Sequence, residues 1–243
     1  MLTLAAGMPR AGSGWHYNLV HDLVLAAGGQ DARAIRKRYL LHPFLTEVNC
    51  NIRALSAKRL LPVMLPAVLG NEFAIKTHSA PSPLAERMIN TGRMRATYIY
   101  RDPRAALLSA LEYGQRARAA GAANAFSPLG SFEEALQFIL GYVHIGEQWL
   151  ALDAVHKLSY ERFLSNYEEE TGRLLAFLEI DKSTASVSVV LDKYHPSRKE
   201  KGGKGMHFQH GEAQRFRSVL TAKELARANK ALAPHLDRMG YET

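Results

Sequence analysis

The chain has a single cysteine, Cys50, in 243 residues. That rules out an internal disulfide and leads us to expect a reducing, cytoplasmic setting. No apolar run approaches the roughly 20 residues needed to cross a bilayer, so no transmembrane segment is expected. A basic leader region is also missing, because Leu2 enters an apolar run at once, and no secretory signal is expected. Carboxylates are scarce relative to cations: 23 Asp and Glu against 31 Lys and Arg leave a formal net charge of +8. This excess favours anionic partners without choosing among nucleotides, nucleic acid, sulfated sugars and acidic membrane. There is neither an internal repeat nor a linker long enough to divide the chain, so residues 1–243 are expected to form one α/β domain.

What is present is concentrated at the start. Leu2-Thr3-Leu4-Ala5-Ala6 reads as a buried strand. Gly7-Met8-Pro9-Arg10-Ala11-Gly12-Ser13-Gly14 is a turn-rich loop with one fixed positive charge, and a helical pattern follows from Trp15 (Leu19, Val20, Leu23, Val24). Strand, glycine loop and helix in that order form an anion cradle, with loop N–H groups and the helix N-terminus converging on one point. Gly7 and Gly12 have the spacing of a Walker loop, yet the next two positions are Ser13 and Gly14. The lysine and the magnesium-holding hydroxyl are both missing, and the positive charge is Arg10 inside the loop. The pattern disfavours an ATP-type kinase and fits a metal-free donor of an already activated group. An ordinary glycine-rich turn is the alternative for this stretch alone.

Gly28-Gly29 ends the first helix, and Asp31 to Leu41 is basic, as a solvated face would be. Leu45 to Leu69 reads as helical with interruptions at Pro62 and Pro66, suited to a lid or acceptor-binding segment. Phe73 to His78 is a second strand that places Lys76 and His78 on one side: a base near neutral pKa beside a positive charge. A hydrogen-bonded structural histidine is the other reading. Met94 to Tyr100 is a third strand, with Arg101 at its tip, Asp102 as N-cap and Pro103 opening a helix that carries Ser109. Arginine and serine could reach one phosphate, or Arg101 could pair with Asp102. Gly121 to Gly130 is small and flexible. Ser131 to Glu134 is a capping box for a mostly buried helix through Leu152, in which His144 is expected at the core or its boundary. Val155 to Ser159 is a fourth strand. Ser165 to Glu168 reads as a further capping box for a helix to Leu178, and another helix ends near Tyr194. Arg198, Lys199, Lys201 and Lys204 alternate with glycines in a basic loop that could fold over a polyanion or stay in solvent. Thr221 to Glu224 caps the last helix.

Three of these segments resemble one family, the sulfotransferases that use 3′-phosphoadenosine 5′-phosphosulfate (PAPS). Pro9-Arg10-Ala11-Gly12-Ser13-Gly14-Trp15 is similar to the 5′-phosphosulfate loop, usually Pro-Lys-Ser-Gly-Thr-Thr-Trp. Tyr100-Arg101-Asp102-Pro103-Arg104 with Ser109 and Tyr113 resembles the 3′-phosphate motif, and Ile75-Lys76-Thr77-His78 the stretch carrying the catalytic histidine. Ser159-Tyr160-Glu161 is similar to the Tyr-Glu stretch near the adenine. His207-Phe208-Gln209-His210-Gly211 followed by Phe216 and Thr221 looks like the C-terminal Arg-Lys-Gly…Gly-Asp-Trp…Thr region. The resemblance implies a three-layer α/β fold, an open parallel sheet flanked by helices like that of P-loop NTPases.

It also implies roles. His78 would be the general base, with Lys76 and Arg10 stabilising charge in transfer. Backbone N–H groups from Ala11 through Gly12 and Ser13 to Gly14 would hold the phosphosulfate. Arg101 and Ser109 would grip the 3′-phosphate, with Gln209, His210 and Gly211 behind them. Trp15 would stack on adenine, with Tyr160 nearby. PAPS would be the donor, with no metal required. The departures are Arg10 for lysine, Gly14 for threonine, Gln209 and His210 for the Arg-Lys clamp, and Arg215-Phe216 for Asp-Trp. The acceptor stays open among small molecules, saccharides and lipids. Residues 31–69 and 114–130 are expected to shape its pocket, nucleic acid is not an expected partner, and the oligomeric state, homodimer included, is undecided. Two other readings remain at this point: a P-loop-type nucleotide kinase, and a non-catalytic module binding polyanions or nucleic acid.

Overall fold

In the computed structural model, which describes residues 1–197 and 213–242, the N-terminal apolar run is the second strand of a sheet and is buried along its whole length. In chain order the elements are β1 (Leu2–Gly7), α1 (Ser13–Ala26), α2 (Ala32–Arg38), α3 (Ala57–Val68), β2 (Phe73–Thr77), α4 (Pro83–Asn90), β3 (Met94–Tyr100) and α5 (Pro103–Ala119). They continue with α6 (Phe132–Leu150), β4 (His156–Ser159), α7 (Tyr160–Ser165), α8 (Tyr167–Leu178), α9 (Ala185–Tyr194), α10 (Phe216–Val219) and α11 (Ala222–Arg238). The strands pair in parallel in the order β2-β1-β3-β4, with Leu2 opposite both Phe73 and Met94.

The period of two along each strand divides the core. Leu2, Leu4, Ala6, Ile75, Ala96 and Tyr98 face one side, where Leu107, Ile139, Trp149 and Leu232 of α5, α6 and α11 cover them. Ala5, Ala74, Ile99 and Leu158 face the other, against Leu19 and Leu23 of α1, Phe163 and Leu174. The result is the expected three-layer α/β arrangement. From β1 the chain passes to β2 on one side and then to β3 on the other. The loops after these three strands therefore diverge around the carboxyl end of β1, the switch point where open α/β sheets bind ligands.

Several local expectations need correction. Pro62 and Pro66 do not interrupt the chain; both lie inside α3, which is held by the burial of Leu60, Val63 and Met64 on its inner side. Ser165 does not open a capping box: it is the last residue of α7, and Asn166 stands at the start of α8 with no side-chain cap bond. Helix α6 is not mostly buried. Ala135, Leu136, Ile139, Val143, Gly146 and Trp149 form a single inward stripe, and the His144 side chain is 63% exposed. The capping boxes at Ser131 and Thr221 are present. Cys50 is buried, which pushes its thiol up to about 11 and keeps it protonated. Among the described residues no helix is long and apolar enough to cross a membrane.

Candidate active site

The loop after β1 turns on two left-handed residues, Arg10 (φ 66°) and Gly12 (φ 78°). Gly12 is the N-cap of α1, and a Cβ there would lie 2.7 Å from the Tyr160 ring, so only glycine suits both the backbone and the space. The first helical bond runs from His16 N–H to the Gly12 carbonyl, at 3.0 Å. By helix geometry the N–H groups of Ser13, Gly14 and Trp15 precede it and have no acceptor within the helix. All three residues line a cavity of about 340 Å³ at the carboxyl end of the sheet. Ala11 departs from expectation: it is fully buried, and its N–H donates to the Met8 carbonyl at 3.2 Å, closing the turn instead of facing the cavity.

Strand β2 brings in Lys76 and His78. Segment 50–52 fixes the strand edge, with the Lys76 N–H donating to the Cys50 carbonyl and the Lys76 carbonyl accepting from Ile52. Only 6% of Lys76 is exposed. Burial, and then the nearby Arg10 charge, lower its ammonium to about 8. His78 Nδ1 lies 2.6 Å from the Gly7 carbonyl. A carbonyl can only accept, so in the neutral ring Nδ1 carries the proton and Nε2 is the basic nitrogen. Burial first, then Lys76, lower this imidazole to about 4, against the opposing effect of the Gly7 bond.

Strand β3 delivers Arg101, whose guanidinium lies 4.4 Å over the Tyr160 ring and 3.4 Å, through Nη1, from the Arg10 carbonyl. Asp102 caps α5 through the Arg104 N–H, and its carboxylate pairs with the Arg104 guanidinium at 2.8 Å. Nearly two turns into α5, on its cavity face, Ser109 Oγ accepts from Arg10 Nε at 3.1 Å. Arg10 therefore bridges the glycine loop and the Arg-Ser motif, packed against Tyr113 (4.4 Å) and Phe126 (5.5 Å), and burial pulls its pKa down.

Of the residues singled out from sequence, Arg10, Gly12, Ser13, Gly14, Trp15, Lys76, His78, Arg101, Ser109 and Tyr160 all line this one cavity. Trp15 is 2% exposed; its ring packs on Phe163 at 4.2 Å and Nε1 donates to the Tyr194 carbonyl. Gln209, His210 and Gly211 lie outside the described residues, as do Arg198, Lys199, Lys201 and Lys204. The sequence reading missed Asn18, Asn49, Leu108 and Glu112 in the lining. Glu112 and Asn18 had a usable signal, standing three and four residues after Ser109 and Gly14 on the same helix faces. Asn49 and Phe126 come from the two segments expected to shape the acceptor pocket. The described group of side chains that could hold a metal, His144, Glu147 and His235, lies between α6 and α11, and none of the three lines the cavity.

A helix N-terminus, the buried Lys76, the partly buried Arg10 and Arg101, and one imidazole thus surround a single space, a set suited to moving an anionic group onto a nucleophile. A family model described as a sulfotransferase domain matches residues 3–240. Retinol dehydratase, solved in a complex with retinol and PAP, aligns over 97% of this chain and 81% of its own, at 17% identity and a TM-score of 0.63. The mouse sulfotransferase SULT7A1, complexed with PAP, aligns over 97% of this chain and 84% of its own, at 13% identity and a TM-score of 0.59. No curated protein matches by sequence. The family match runs through the loop, the Lys-Thr-His strand and the Arg-Ser motif alike, and the chain belongs to the sulfotransferase domain family.

Proposed function

We propose that this chain, as one domain over residues 1–243, transfers a sulfuryl group from PAPS to a hydroxyl or amine of a small-molecule acceptor, with His78 as general base. The observation that carries this reading is the 2.6 Å bond from His78 Nδ1–H to the Gly7 carbonyl, which keeps Nε2 basic in a cavity shared with Lys76, Arg10 and the α1 N-terminus. The cavity suits a polyanionic donor: Arg10, Lys76 and Arg101 line it, and the one carboxylate among the described lining residues, Glu112, is paired with Arg215. Neighbouring structures of the same fold hold PAP, the nucleotide left when PAPS has lost its sulfuryl group. Retinol dehydratase also holds retinol or androsterone, both small alcohols, which makes such alcohols the first acceptors to try.

Sulfuryl transfer follows the logic of phosphoryl transfer, a loose in-line displacement helped by positioning and charge. His78 Nε2 takes the proton of the acceptor O–H or N–H as the new bond to sulfur forms and the bond from sulfur to the phosphate oxygen breaks. Lys76 and Arg10 offset charge on the departing oxygen. The N–H groups of Ser13 and Gly14 hold the anionic end of the donor, while Arg101 and Ser109 hold the 3′-phosphate. Trp15, with its indole in the core, sets the wall on which Tyr160 and the nucleotide base rest. Because the reaction needs Nε2 unprotonated, an imidazole lowered to about 4 is ready at neutral pH.

The test separates chemistry from binding. His78→Ala should lower transfer from labelled PAPS by about 10²- to 10⁴-fold. Calorimetric titration with 3′,5′-ADP should show nearly unchanged affinity. An equal loss of nucleotide affinity would make His78 a structural residue.

A further inference from the structure

We propose that Arg215 is the second guanidinium of the 3′-phosphate site and that Glu112 holds it in reserve, releasing it when the nucleotide arrives. This rests on the PAPS reading above. Relative to the resembled motif, the chain has lost two cations, at Gln209 and His210, and gained one six residues after the first, at Arg215. Arg215 lines the cavity, and its Nη2 forms an ion pair with Glu112 Oε2. Glu112 stands three residues after Ser109 on α5, so the two side chains share a helix face and lie about 5–6 Å apart at their Cβ atoms. The Arg215 fork is therefore parked beside a residue one helical turn from the hydroxyl assigned to the 3′-phosphate, in the cavity that Arg101 also lines.

The backbone carrying Arg215 is anchored. Phe216 is 1% exposed, and the Arg104 guanidinium lies 4.8 Å over its ring. Arg104 is itself fixed by Asp102, by Asn229 Oδ1 at 3.0 Å and by the Glu242 carbonyl at 2.7 Å. The side chains of Arg215 and Glu112 both line the cavity and keep about a fifth of their surface exposed, at 21% and 22%, so the pair can rearrange without opening the core. A phosphate dianion offers a planar fork more charge and more acceptors than one carboxylate does, which drives the exchange. Without a ligand, Glu112 offsets the charge that Arg215 adds to those of Arg10, Lys76 and Arg101 in the cavity. With one, it competes for Arg215 and weakens binding.

Two opposite effects follow, and calorimetry with 3′,5′-ADP and 5′-AMP reads both. Arg215→Ala should weaken 3′,5′-ADP by about ten- to a hundredfold, the range for a charge-assisted bond, and leave 5′-AMP within about twofold. Arg215→Lys should recover part of the loss. Glu112→Gln should tighten 3′,5′-ADP by about three- to tenfold, and that gain should shrink in the Arg215→Ala background if Glu112 acts through the arginine. Glu112→Gln keeps size and hydrogen bonding, so it remains informative even if Arg215→Ala folds poorly. Unchanged discrimination between the two nucleotides in Arg215→Ala or Arg215→Lys, or weaker binding in Glu112→Gln, overturns the assignment. If the unaltered protein itself fails to prefer 3′,5′-ADP over 5′-AMP, the PAPS reading fails first.

Discussion

Lys76 and His78 sit two positions apart at the end of one strand, and burial moves both out of their ordinary titration ranges, to about 8 and about 4. The catalytic demands on them are opposite. His78 must be neutral to accept a proton, so activity rises as pH increases through its pKa. Lys76 must stay charged to offset the departing oxygen, so activity falls as pH increases through its own. The acceptor kcat/KM should therefore be flat across neutral pH and fall above about pH 8. Lys76→Arg should remove that alkaline fall whatever it does to the absolute rate, because a guanidinium keeps its charge throughout. A pH profile from about 6 to 9.5 decides it; an unchanged alkaline limb would remove Lys76 from the charge-offsetting role. These two residues were legible in sequence because strand alternation alone puts them on one side. Ala11 was not, because a turn decides whether its N–H points inward or out. Glu112 was passed over since a lone glutamate on a helix is ordinarily solvated, and only the fold places it at the cavity with Arg215.

At the scale of elements, the strand-loop-helix start was readable because its glycines have few other uses. Gly12 combines a positive φ with a Tyr160 ring 2.7 Å from where a Cβ would stand, whereas Gly28 (φ 91°) has nothing within 4 Å. The pair separates strain from crowding. Gly28→Ala should cost about 1 kcal/mol, the left-handed penalty alone. Gly12→Ala should cost about 3 kcal/mol, since it adds overpacking against Tyr160. Urea unfolding measures both, and equal losses would show that Tyr160 yields without cost. Gly12→Ala should also weaken 3′,5′-ADP more than Gly28→Ala does, because Tyr160 carries the Arg101 stack. Helix α3 was hard to read for a physical reason: its outer side is apolar too, with Leu61, Leu65, Val68 and Leu69 exposed, so no single stripe stands out. Its two prolines then masqueraded as breaks. The misplaced cap at Ser165 has a similar origin, since α7 runs through it and two short helices meet where the local pattern shows one start.

For the whole molecule, alternation and parallel order were visible as buried strands followed by helical patterns, while the strand order, and hence the switch point beside β1, depended on long-range pairing. Three imidazoles packed around the same sheet, His16 buried and His78 and His156 partly so, have a combined titration that sets acid stability. His16 is fully buried, with Nε2 3.0 Å from Thr97 Oγ1, and burial, then His156 and Lys76, lower it to about 3. His156 is lowered to about 4 by burial and Arg173, and His78 to about 4 by burial and Lys76. All three folded-state values lie below the ordinary histidine value of about 6.5. As pH falls through 6.5 the unfolded chain takes up protons that the folded chain refuses. Stability is therefore present above about pH 6.5 and is lost progressively toward pH 4. Each imidazole can contribute up to about 1.4 kcal/mol per pH unit in that window, so two to three protons should be taken up on unfolding at about pH 5. Carboxylates titrate mostly lower and leave the upper part of the window to histidine. Urea unfolding at about pH 7, 6 and 5 gives the slope directly, and His156→Gln should reduce it by about one proton. A slope of one proton or fewer in the unaltered protein would mean that these rings are charged in the folded state, and the neutral Nε2 on which His78 depends would have to be given up with them.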